Sequence, residues 1–553
     1  MQTPMIRRLP LAIAAFVAFG LSAGPAGAST LFTLTGHGWG HGIGMSQYGA
    51  LGYAQHGWDH QRILTHYYTG TTIGLLPRGT TERVLLSDGR SSIHVSFTST
   101  AQARDGAGTT KSLPAGSYRV DLGTTAGNVR LWSGSAGRYI WKGIVTAIRI
   151  SPGSTPLRLG DTAINGYGGD HWWGDFRIAR SGGSLSLVDY VPMEKYVRGV
   201  VPCEVPASWL PQAVEAQAVA ARSYAAATRG GGSFDAYPDT RSQMYCPIER
   251  QAAASDAAVV ATKRQIVKYG GHVATTYFSS SSGGRTSSLS ASWGSSDQPY
   301  LVPVRDHYDG AGGLNPNHTW SPKLYTPSNL AAQLGVSGSV SSLDLTIDDP
   351  SQRVLSMVVH HGGVATPLTA GDVFSRLGLR STYFRILQVS LAAPKSVDAG
   401  QPFQLRGRLW PKPLGAFTLQ VRIGAEGAWK PVTTAVPLDS EGRFSISRSP
   451  GKDVSYRLVR RSAFSPVIHV HVHPLLTLAS GGGFHGTMTP AVQGATVILQ
   501  NDTPGGWVDV ESATVAAGGG YQFAQAVTSG TWRARFHRDA DHSDATSATL
   551  VVP

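Results

Sequence analysis

The residue best suited to chemistry in this chain is Glu204, which stands between Pro202 and Pro206 just before an alanine-rich segment. Prolines stiffen the backbone and remove hydrogen-bond donors. Apolar neighbours disfavour the charged form of a carboxyl group and raise its pKa. A stiffly held, partly neutral carboxyl group is suited to donate a proton to a glycosidic oxygen. The alternative role is structural, because a carboxylate near the start of the following helix would stabilise that helix.

Helices and strands around Glu204 must hold it in place. Short runs of alternating apolar and polar residues, separated by turn residues, predict a β-rich section from 83 to about 191. The segment 211–228 is rich in alanine, begins with a proline and is followed by three glycines, which predicts a helix. Shorter helices are predicted at 45–55, 59–68 and 251–262, and a strand is predicted at 274–278.

The composition and the first residues indicate an exported globular protein. Of the 553 residues, 41% are hydrophobic and 15% are charged, which excludes a disordered chain and allows several domains. Residues 1–28 place Arg7 and Arg8 before an apolar run and end in small residues, which predicts a signal peptide. A retained membrane anchor is the alternative. No later stretch is apolar enough to span a bilayer, so a secreted, wall-associated protein is expected.

The net charge and the cysteines add two further expectations. The charge of +13 falls to +11 without Arg7 and Arg8, and for an exported protein this favours an anionic wall polymer over nucleic acid as the partner. Cys203 and Cys246 are the two cysteines of the chain. An oxidising compartment and an even count favour a disulfide, which would tie the segment of Glu204 to the loop 238–247. Two unrelated buried thiols are the alternative.

The end of the chain is predicted to form two related β-sandwiches, 389–473 and 474–553. Trp429 is followed thirteen residues later by Gly442, and Trp507 is followed by Gly520 at the same spacing. Repetition at this scale predicts two copies of an Ig-like unit of about seven strands. Neither copy contains a cysteine, so these units would lack the disulfide of immunoglobulin domains.

Residues 29–388 resemble the SpoIID/LytB family, which is named for stage II sporulation protein D and the amidase-enhancer proteins. The segments that carry the resemblance are 189–202 (DYVPMEKYVRGVVP), 204–209 (EVPASW), 215–225 (EAQAVAARSYA), 277–284 (YFSSSSGG) and 299–304 (PYLVPV). The fold class expected is therefore α+β, a mixed SpoIID-like domain followed by two all-β sandwiches. The segment 36–50 (GHGWGHGIGMSQYGA) usually ends the family domain but begins it here, so the domain looks circularly permuted. Such an order is tolerated if the ends of the domain lie close together.

The resemblance implies a lytic transglycosylase that cleaves peptidoglycan glycan strands and prefers strands without stem peptides. It places the catalytic glutamate at Glu204 and a functional arginine at Arg222. Further substrate contacts are expected at the following residues: His41, Gln47, Gln217, Tyr277, Ser279, Ser281 and Gly283. A non-catalytic peptidoglycan-binding or amidase-enhancing module, with an amidase as partner, is the alternative function.

The expected reaction needs one carboxyl group, whereas ordinary glycosidases use two. Glu204 would protonate the leaving glycosidic oxygen and then accept the proton of the sugar's own 6-hydroxyl, which gives a 1,6-anhydro end. Arg222 would hold an N-acetyl carbonyl or a lactyl carboxylate. The alternative for Arg222 is a salt bridge to Glu215 or to another acidic side chain.

The sequence departs from the family pattern at two positions that concern metals and charge. Some members bind zinc through cysteine and histidine after an Asp-Thr pair, but Asp239 and Thr240 are followed by neither, so no metal or cofactor is expected. Glu215 stands where many members carry lysine. His37 and His41 are separated by glycines rather than placed on a helix, which predicts a tight loop packed by Trp39 instead of a metal site.

Overall fold

The computed structural model describes residues 29–553 except 125–126, 135–137, 141–144, 414 and 461–462. The predicted signal peptide, residues 1–28, lies outside the described residues. The described chain contains eight α-helices and many β-strands, with a mixed α+β region first and an all-β region after it. This arrangement confirms the expected α+β class. Among the described residues, no helix combines the length and the apolar character needed to cross a bilayer.

The β-rich section predicted for 83–191 folds as two six-stranded antiparallel sheets. The strands of the first sheet are, in spatial order, β10 Arg138–Tyr139, β9 Val129–Ser133, β8 Gly116–Leu122, β5 Ser92–Phe97, β12 Leu157–Leu159 and β13 His171–Trp172. Those of the second are β4 Thr81–Arg90, β15 Ser184–Pro192, β14 Asp175–Ser181, β11 Ala147–Ser151, β6 Ala101–Asp105 and β7 Thr110–Leu113. Every second residue of β5 is buried, namely Ile93, Val95 and Phe97, as the alternating pattern requires. The strand β3 Thr72–Leu75 precedes this section, and the helix α3 Met193–Glu204 follows it.

The alanine-rich helix α4, Pro211–Thr228, lies at the centre of the mixed region and has the predicted bounds. One of its faces packs against the β-rich core and α3 through Ala218, Ala221 and Ala225. Its opposite face packs through Ala216 and Ala220 against two N-terminal helices. Small side chains on both faces let the neighbouring elements approach closely. The other helices are α1 Gln47–Gln55, α2 His60–Tyr67, α5 Ala253–Ala261, α6 Leu289–Trp293, α7 Pro327–Leu334 and α8 Ala370–Arg376, with two short 3-10 helices at Ile248–Arg250 and Ala311–Gly313.

The two ends of the segment 29–388 lie side by side. β1, Ser29–Gly36, pairs antiparallel with β23, Phe384–Ala392, over eight positions. β2, Met45–Ser46, pairs in parallel with β18, Phe278–Ser279. This adjacency is what a permuted chain order requires. The remaining strands of the region are β16 Gln265–Tyr269, β17 His272–Val273, β19 Lys323–Tyr325, β20 Val340–Ile347, β21 Val354–His361 and β22 Val364–Thr369.

The strand predicted at 274–278 is wrong except at its last residue. Ala274 donates its N–H to the carbonyl of Val267, which ties it to the β16–β17 hairpin. Regular pairing begins only at Phe278, because the partner β2 is itself two residues long. The pairing partner lies more than 200 residues away in the sequence, so local alternation could not reveal the length of this strand.

Two β-rich units with separate cores follow. The core of the first includes Leu405, Tyr456 and Val470, and the core of the second includes Leu499 and Trp532. The strands of the first unit are β24 Ser396–Asp398, β25 Phe403–Trp410, β26 Thr418–Ile423, β27 Lys430–Thr433, β28 Arg443–Arg448, β29 Val454–Arg460, β30 Ala463–Phe464 and β31 Ile468–His473. The strands of the second are β32 Leu475–Leu476, β33 His485–Thr489, β34 Thr496–Thr503, β35 Gly506–Thr514, β36 Gly520–Gln522, β37 Gly530–Phe536, β38 Ala545–Thr546 and β39 Leu550–Val552. Their Ig-like character stays a prediction.

Cys203 and Cys246 form the expected disulfide. The bond links the last turn of α3 to the loop 238–247 across 43 residues of sequence. In the chain-entropy description, a cross-link over a loop of this length restricts the unfolded chain and so stabilises the folded one.

We expect the double variant Cys203→Ser and Cys246→Ser to lower the free energy of unfolding by about 2–4 kcal/mol. Chemical denaturation followed by circular dichroism measures this difference. Reduction of the unmodified protein should give the same loss, and the reductant should leave the double variant unchanged. An equal stability of both proteins would contradict the assignment.

Candidate active site around Glu204

The Glu204 carboxyl group lies half-buried at the C-terminal end of α3. Its Oε1 accepts a hydrogen bond of 2.8 Å from the backbone N–H of Met244. Its Oε2 accepts a longer bond of 3.3 Å from Nε2 of Gln47. Burial raises the pKa of Glu204 above its ordinary value, and the two N–H donors reduce the rise without cancelling it. The group therefore holds a proton to higher pH than an exposed glutamate does.

Helix α3 and the loop 238–247 meet at one glycine. Gly199 allows this approach, because a Cβ there would lie 2.6 Å from the ring of Tyr245 and 2.8 Å from the carbonyl oxygen of Cys246. The N–H of Cys246 donates to the carbonyl of Gly199 at 3.1 Å. The same loop thus carries the disulfide and the N–H that binds Glu204. The alternative role of Glu204 as a cap for α4 is not what the structure shows, because Leu210 occupies the N-cap position.

Gln47 lies in the N-terminal Gly/His-rich segment and is the first residue of α1. Ser46 caps this helix by accepting the N–H of Gly49, and Ser46 also donates to Asp309 at 2.6 Å. The Gly/His-rich segment therefore places its expected residue Gln47 directly on Glu204. Folding brings these two side chains together across 157 residues of sequence.

Two pairs of aromatic rings involve the segments that carry Glu204 and Gln47 and the helix that follows them. Trp209 packs on Tyr48 with ring centroids 5.0 Å apart. On α4, Tyr224 has a raised pKa, first because of burial and then because of the charges of Tyr277 and Glu204. The ring of Tyr224 packs against that of Tyr277 at 5.6 Å, so the expected residue Tyr277 belongs to the same cluster.

The expected contacts Ser279, Ser281 and Gly283 are buried, and their polar groups bind other parts of the protein. Ser279 Oγ accepts the N–H of Gly42 at 3.2 Å. Ser281 Oγ donates to the carboxylate of Asp309, and the N–H of Gly283 donates to the same carboxylate at 3.1 Å. These residues fix the Gly/His-rich loop in place, and their contact with a substrate stays a prediction.

Two buried aspartates hold this network, and sequence reasoning missed them. Asp309 accepts hydrogen bonds from Ser46, Ser281 and His318, which together lower its pKa although burial acts in the opposite direction. Burial and the neighbouring charge of Asp309 raise the pKa of Asp306 to about 7. Both aspartates follow the apolar segment 299–304, but nothing in their local sequence indicates that they are buried.

His41 and Trp39 occupy different environments in the Gly/His-rich loop. The ring of His41 packs against Tyr277 and Trp293, and its Nδ1 accepts the N–H of Ile43. Burial lowers the pKa of His41 to about 4, so it is neutral at physiological pH. The expectation that Trp39 packs the loop is wrong, because 49% of Trp39 is exposed and it lies beside Arg380. The described residues contain no cluster suited to a metal ion.

Gln217 is buried without a partner. It is 1% exposed, and both its amide nitrogen and its amide oxygen lack a hydrogen-bond partner among the described residues. It lies two helical turns before Tyr224 on α4, so the two side chains share one face of the helix. That face is the one on which Tyr224 approaches Glu204. A buried amide without a partner is costly, and a substrate contact of Gln217 stays a prediction.

Arg222 lies buried in an ion pair. Its side chain has no exposed surface, and its Nε and Nη2 bind the two carboxylate oxygens of Glu194 at 3.1 and 2.9 Å. Its Nη1 donates to the carbonyl of Gln265. The ion pair that was the alternative for Arg222 is therefore present, with Glu194 rather than Glu215 as its acidic partner, and a substrate contact of Arg222 stays a prediction. Glu215 instead lies 3.0 Å from Nδ1 of His60.

Residues 181–269, which include Glu204 and the loop around Met244, match the family model described as "SpoIID: Stage II sporulation protein". This part of the chain is similar to the SpoIID family. Stage II sporulation protein D of Bacillus subtilis (strain 168) is 29% identical over 217 residues, covering 36% of this chain and 61% of that protein. The amidase enhancer of the same organism is 37% identical over 114 residues, covering 20% of this chain and 15% of that protein.

The chain therefore matches less than two thirds of the length of these relatives. Among solved structures, a tetra-tandem repeat of a large adhesion protein is 10% identical and covers 86% of this chain and all of that chain. Its TM-score of 0.19 is too low to indicate a common fold. The SpoIID assignment consequently depends on the sequence matches, and it covers the segment that carries Glu204.

We expect Arg222→Leu to lower the free energy of unfolding by about 3 kcal/mol, because the change leaves Glu194 without its buried partner. Arg241→Leu is the matched control, since its pair with Asp239 is exposed and should contribute less than about 1 kcal/mol. Urea denaturation of both variants measures the two losses. Equal losses, or a weaker binding of glycan by a stable Arg222→Leu variant, would contradict the structural role.

The raised pKa of Asp306 predicts a pH-dependent stability. Folded Asp306 keeps its proton up to about pH 7, whereas an unfolded aspartate loses it near pH 4. Between these values the folded state binds more protons, so this group's contribution falls as the pH rises. We expect Asp306→Asn, which does not titrate, to gain stability relative to the unmodified protein by up to about 1.4 kcal/mol per pH unit. Thermal unfolding of both proteins from pH 4 to pH 7 measures this gain, and a constant difference would contradict it.

Proposed function

We propose that the SpoIID domain cleaves the glycan strands of peptidoglycan as a lytic transglycosylase, with Glu204 as its single acid and base. The observation that carries this proposal is the environment of Glu204, a half-buried carboxyl group with a raised pKa that accepts hydrogen bonds from Met244 and Gln47. The similarity of residues 181–269 to the SpoIID family supports a wall-related role. We also propose that the protein is exported and acts at the cell wall.

In the first step, Glu204 donates its proton to the oxygen between two sugars, and the bond from the anomeric carbon to that oxygen breaks. In the second step, the 6-hydroxyl of the same sugar attacks the anomeric carbon, and Glu204 takes the hydroxyl proton. The balance requires no water and no cofactor, and the product carries a 1,6-anhydro ring. A tethered hydroxyl has a high effective concentration, so a second carboxylate is not needed to activate a nucleophile.

Met244 and Gln47 have separate roles in this scheme. The backbone N–H of Met244 binds one carboxyl oxygen in both protonation states, which fixes the direction of the group. The amide of Gln47 can donate to the ionised form, and after a rotation of its end group it can accept from the protonated form. The pair thus lets Glu204 give up a proton and take one back without moving.

The substrate contacts proposed around Glu204 are aromatic faces and one amide. Tyr48 and Trp209 offer planar apolar surface on which a sugar ring can pack. Tyr277, whose ring packs against Tyr224 and His41, offers another such surface. Gln217 supplies the amide without a partner, which matches the N-acetyl groups of an amino-sugar polymer in donors and acceptors.

A second candidate function is a non-catalytic module that binds peptidoglycan and stimulates an amidase. The observation that favours it is the 37% identity with the amidase enhancer of Bacillus subtilis. The pairing of Glu215 with His60, where many family members carry lysine, also leaves the charge around the site different from theirs. Both functions place a glycan strand in the same site, and only the chemical product separates them.

We expect Glu204→Gln to reduce the release of 1,6-anhydro products from peptide-free glycan strands at least about a hundredfold, because the proton donor is removed. Mass spectrometry of the products measures the release. The rate of the unmodified protein should fall as the pH rises above the raised pKa of Glu204, where the donor form disappears.

Glu249→Gln is the matched control, because Glu249 is an exposed carboxylate paired with His171 close to the same loop. This variant should retain the full rate. Products heavier by one water molecule would indicate hydrolysis instead of transglycosylation. Binding of the strands by the unmodified protein without any product would decide in favour of the amidase-enhancing module.

A further inference from the structure

The two β-sandwich units carry the same three-residue cluster on their sheets. In the first unit, Arg457 on β29 lies over the ring of Trp429 at 4.2 Å, and its Nε donates to Oε1 of Gln420 at 2.8 Å. Gln420 stands directly opposite Arg457 in the register of β26 and β29. The cluster thus extends across neighbouring strands on one face of the sheet.

In the second unit, Arg533 on β37 lies over the ring of Trp507 at 4.0 Å, and its Nε donates to Oε1 of Gln500 at 2.7 Å. Gln500 stands opposite Arg533 in the register of β34 and β37. Since both units build the same trio, tryptophan, arginine and glutamine are part of the architecture of this repeat. The trio alone therefore indicates no ligand.

The units differ at the residue beside the tryptophan. In the second unit, Asp502 stands opposite Trp507. In the first unit, Val421 stands opposite Lys430, so Arg422 takes the place opposite Trp429. The same position is thus acidic in one unit and basic in the other. It is the second residue after the glutamine of the trio in both.

Arg422 has no acidic partner among the residues that the structure describes. Its guanidinium carbon lies 5.1 Å from the ring centroid of Trp429, and its Nε is buried without a hydrogen-bond partner. Arg457 binds Gln420 and no carboxylate of the described chain. Two guanidinium groups therefore lie close to one indole ring without a neutralising charge among the described residues, an arrangement that attracts an anion.

The charge of the whole unit points the same way. Residues 389–473 carry twelve lysines and arginines against five aspartates and glutamates, whereas residues 474–553 carry three against six. The first unit is thus strongly basic and the second is acidic. A basic surface raises the local concentration of an anionic polymer and directs its approach.

We propose that the face around Trp429, Arg422 and Arg457 binds an acidic polysaccharide, with a sugar ring on the indole and its carboxylate at the two guanidinium groups. The polymer is the peptide-free glycan strand, whose lactyl carboxylates are exposed once the stem peptides are gone; this identity rests on the proposed function. A glycerol phosphate polymer carries an anion but no ring to place on Trp429. The second unit has Asp502 at the decisive position and does not bind the strand.

The test measures the retention of the full-length chain by immobilised peptide-free glycan strands, with Glu204→Gln present so that the strands stay intact. We expect Arg422→Asp, which copies the second unit, to weaken the apparent affinity about tenfold. Adding Asp502→Arg to that variant should restore part of the loss, because it creates the basic position in the second unit. Chitin, which has the same sugar backbone without the lactyl carboxylates, should bind weakly and equally to all these proteins.

The proposal is overturned if Arg422→Asp binds the strands as tightly as the parent, or if chitin is retained as tightly as the strands. It is also overturned if polyglycerol phosphate at equal charge displaces the strands completely, since charge alone would then explain the binding. The thermal unfolding of Arg422→Asp should equal that of the parent, which separates lost binding from lost folding. Cleavage is tested separately with short soluble glycans and the protein that retains Glu204. If the chain binds the strands independently of Arg422 but still cleaves the short glycans, only the binding face is rejected. If binding depends on Arg422 but no cleavage occurs, only the proposed reaction is rejected.

Discussion

The attachment of the end of α3 to the loop 238–247 determines the position and the environment of the Glu204 carboxyl group. Three connections cross this junction within a few residues: the disulfide, the hydrogen bond between Cys246 and Gly199, and the bond from Met244 to Glu204. Gly199 makes them compatible, because any side chain there would push the loop away. The same loop buries the carboxyl group and supplies its donor, so the raised pKa and the fixed direction of Glu204 have one common origin.

The remaining wall of the site depends on a buried polar network rather than on an apolar core. Asp309 gathers Ser46, Ser281 and His318, and in doing so it fixes both the start of α1 and the glycine-rich turn after β18. Gln47, the first residue of α1, is held in this way at hydrogen-bonding distance from Glu204. The Gly/His-rich segment can therefore stand at the start of the domain rather than at its end, because the pairing of β1 with β23 places it beside the same network.

Sequence reasoning worked where the signal is local. The helix 211–228, the β-rich section and the disulfide follow from composition, periodicity and an even cysteine count, and each of them is present. It failed where the partner is distant. A buried arginine and an exposed one look alike in a sequence, so the ion pair of Arg222 with Glu194 could not be distinguished from a substrate contact. The burial of Asp306 and Asp309 likewise depends on contacts with Ser281, Ser282 and Tyr67, which no local pattern reveals.

The strand β23 has a consequence for the design of shortened chains. It pairs with β1 on one side and with β25 on the other, so a single five-stranded sheet continues past position 388, the expected domain boundary. A chain that stops at 388 would lose the second half of β23 and all of β25. Part of the backbone N–H and C=O groups of β1 would then have no partner strand. Bare strand edges recruit other chains and cause aggregation. The natural place to divide this protein therefore lies after β31, where one apolar core ends and the next begins.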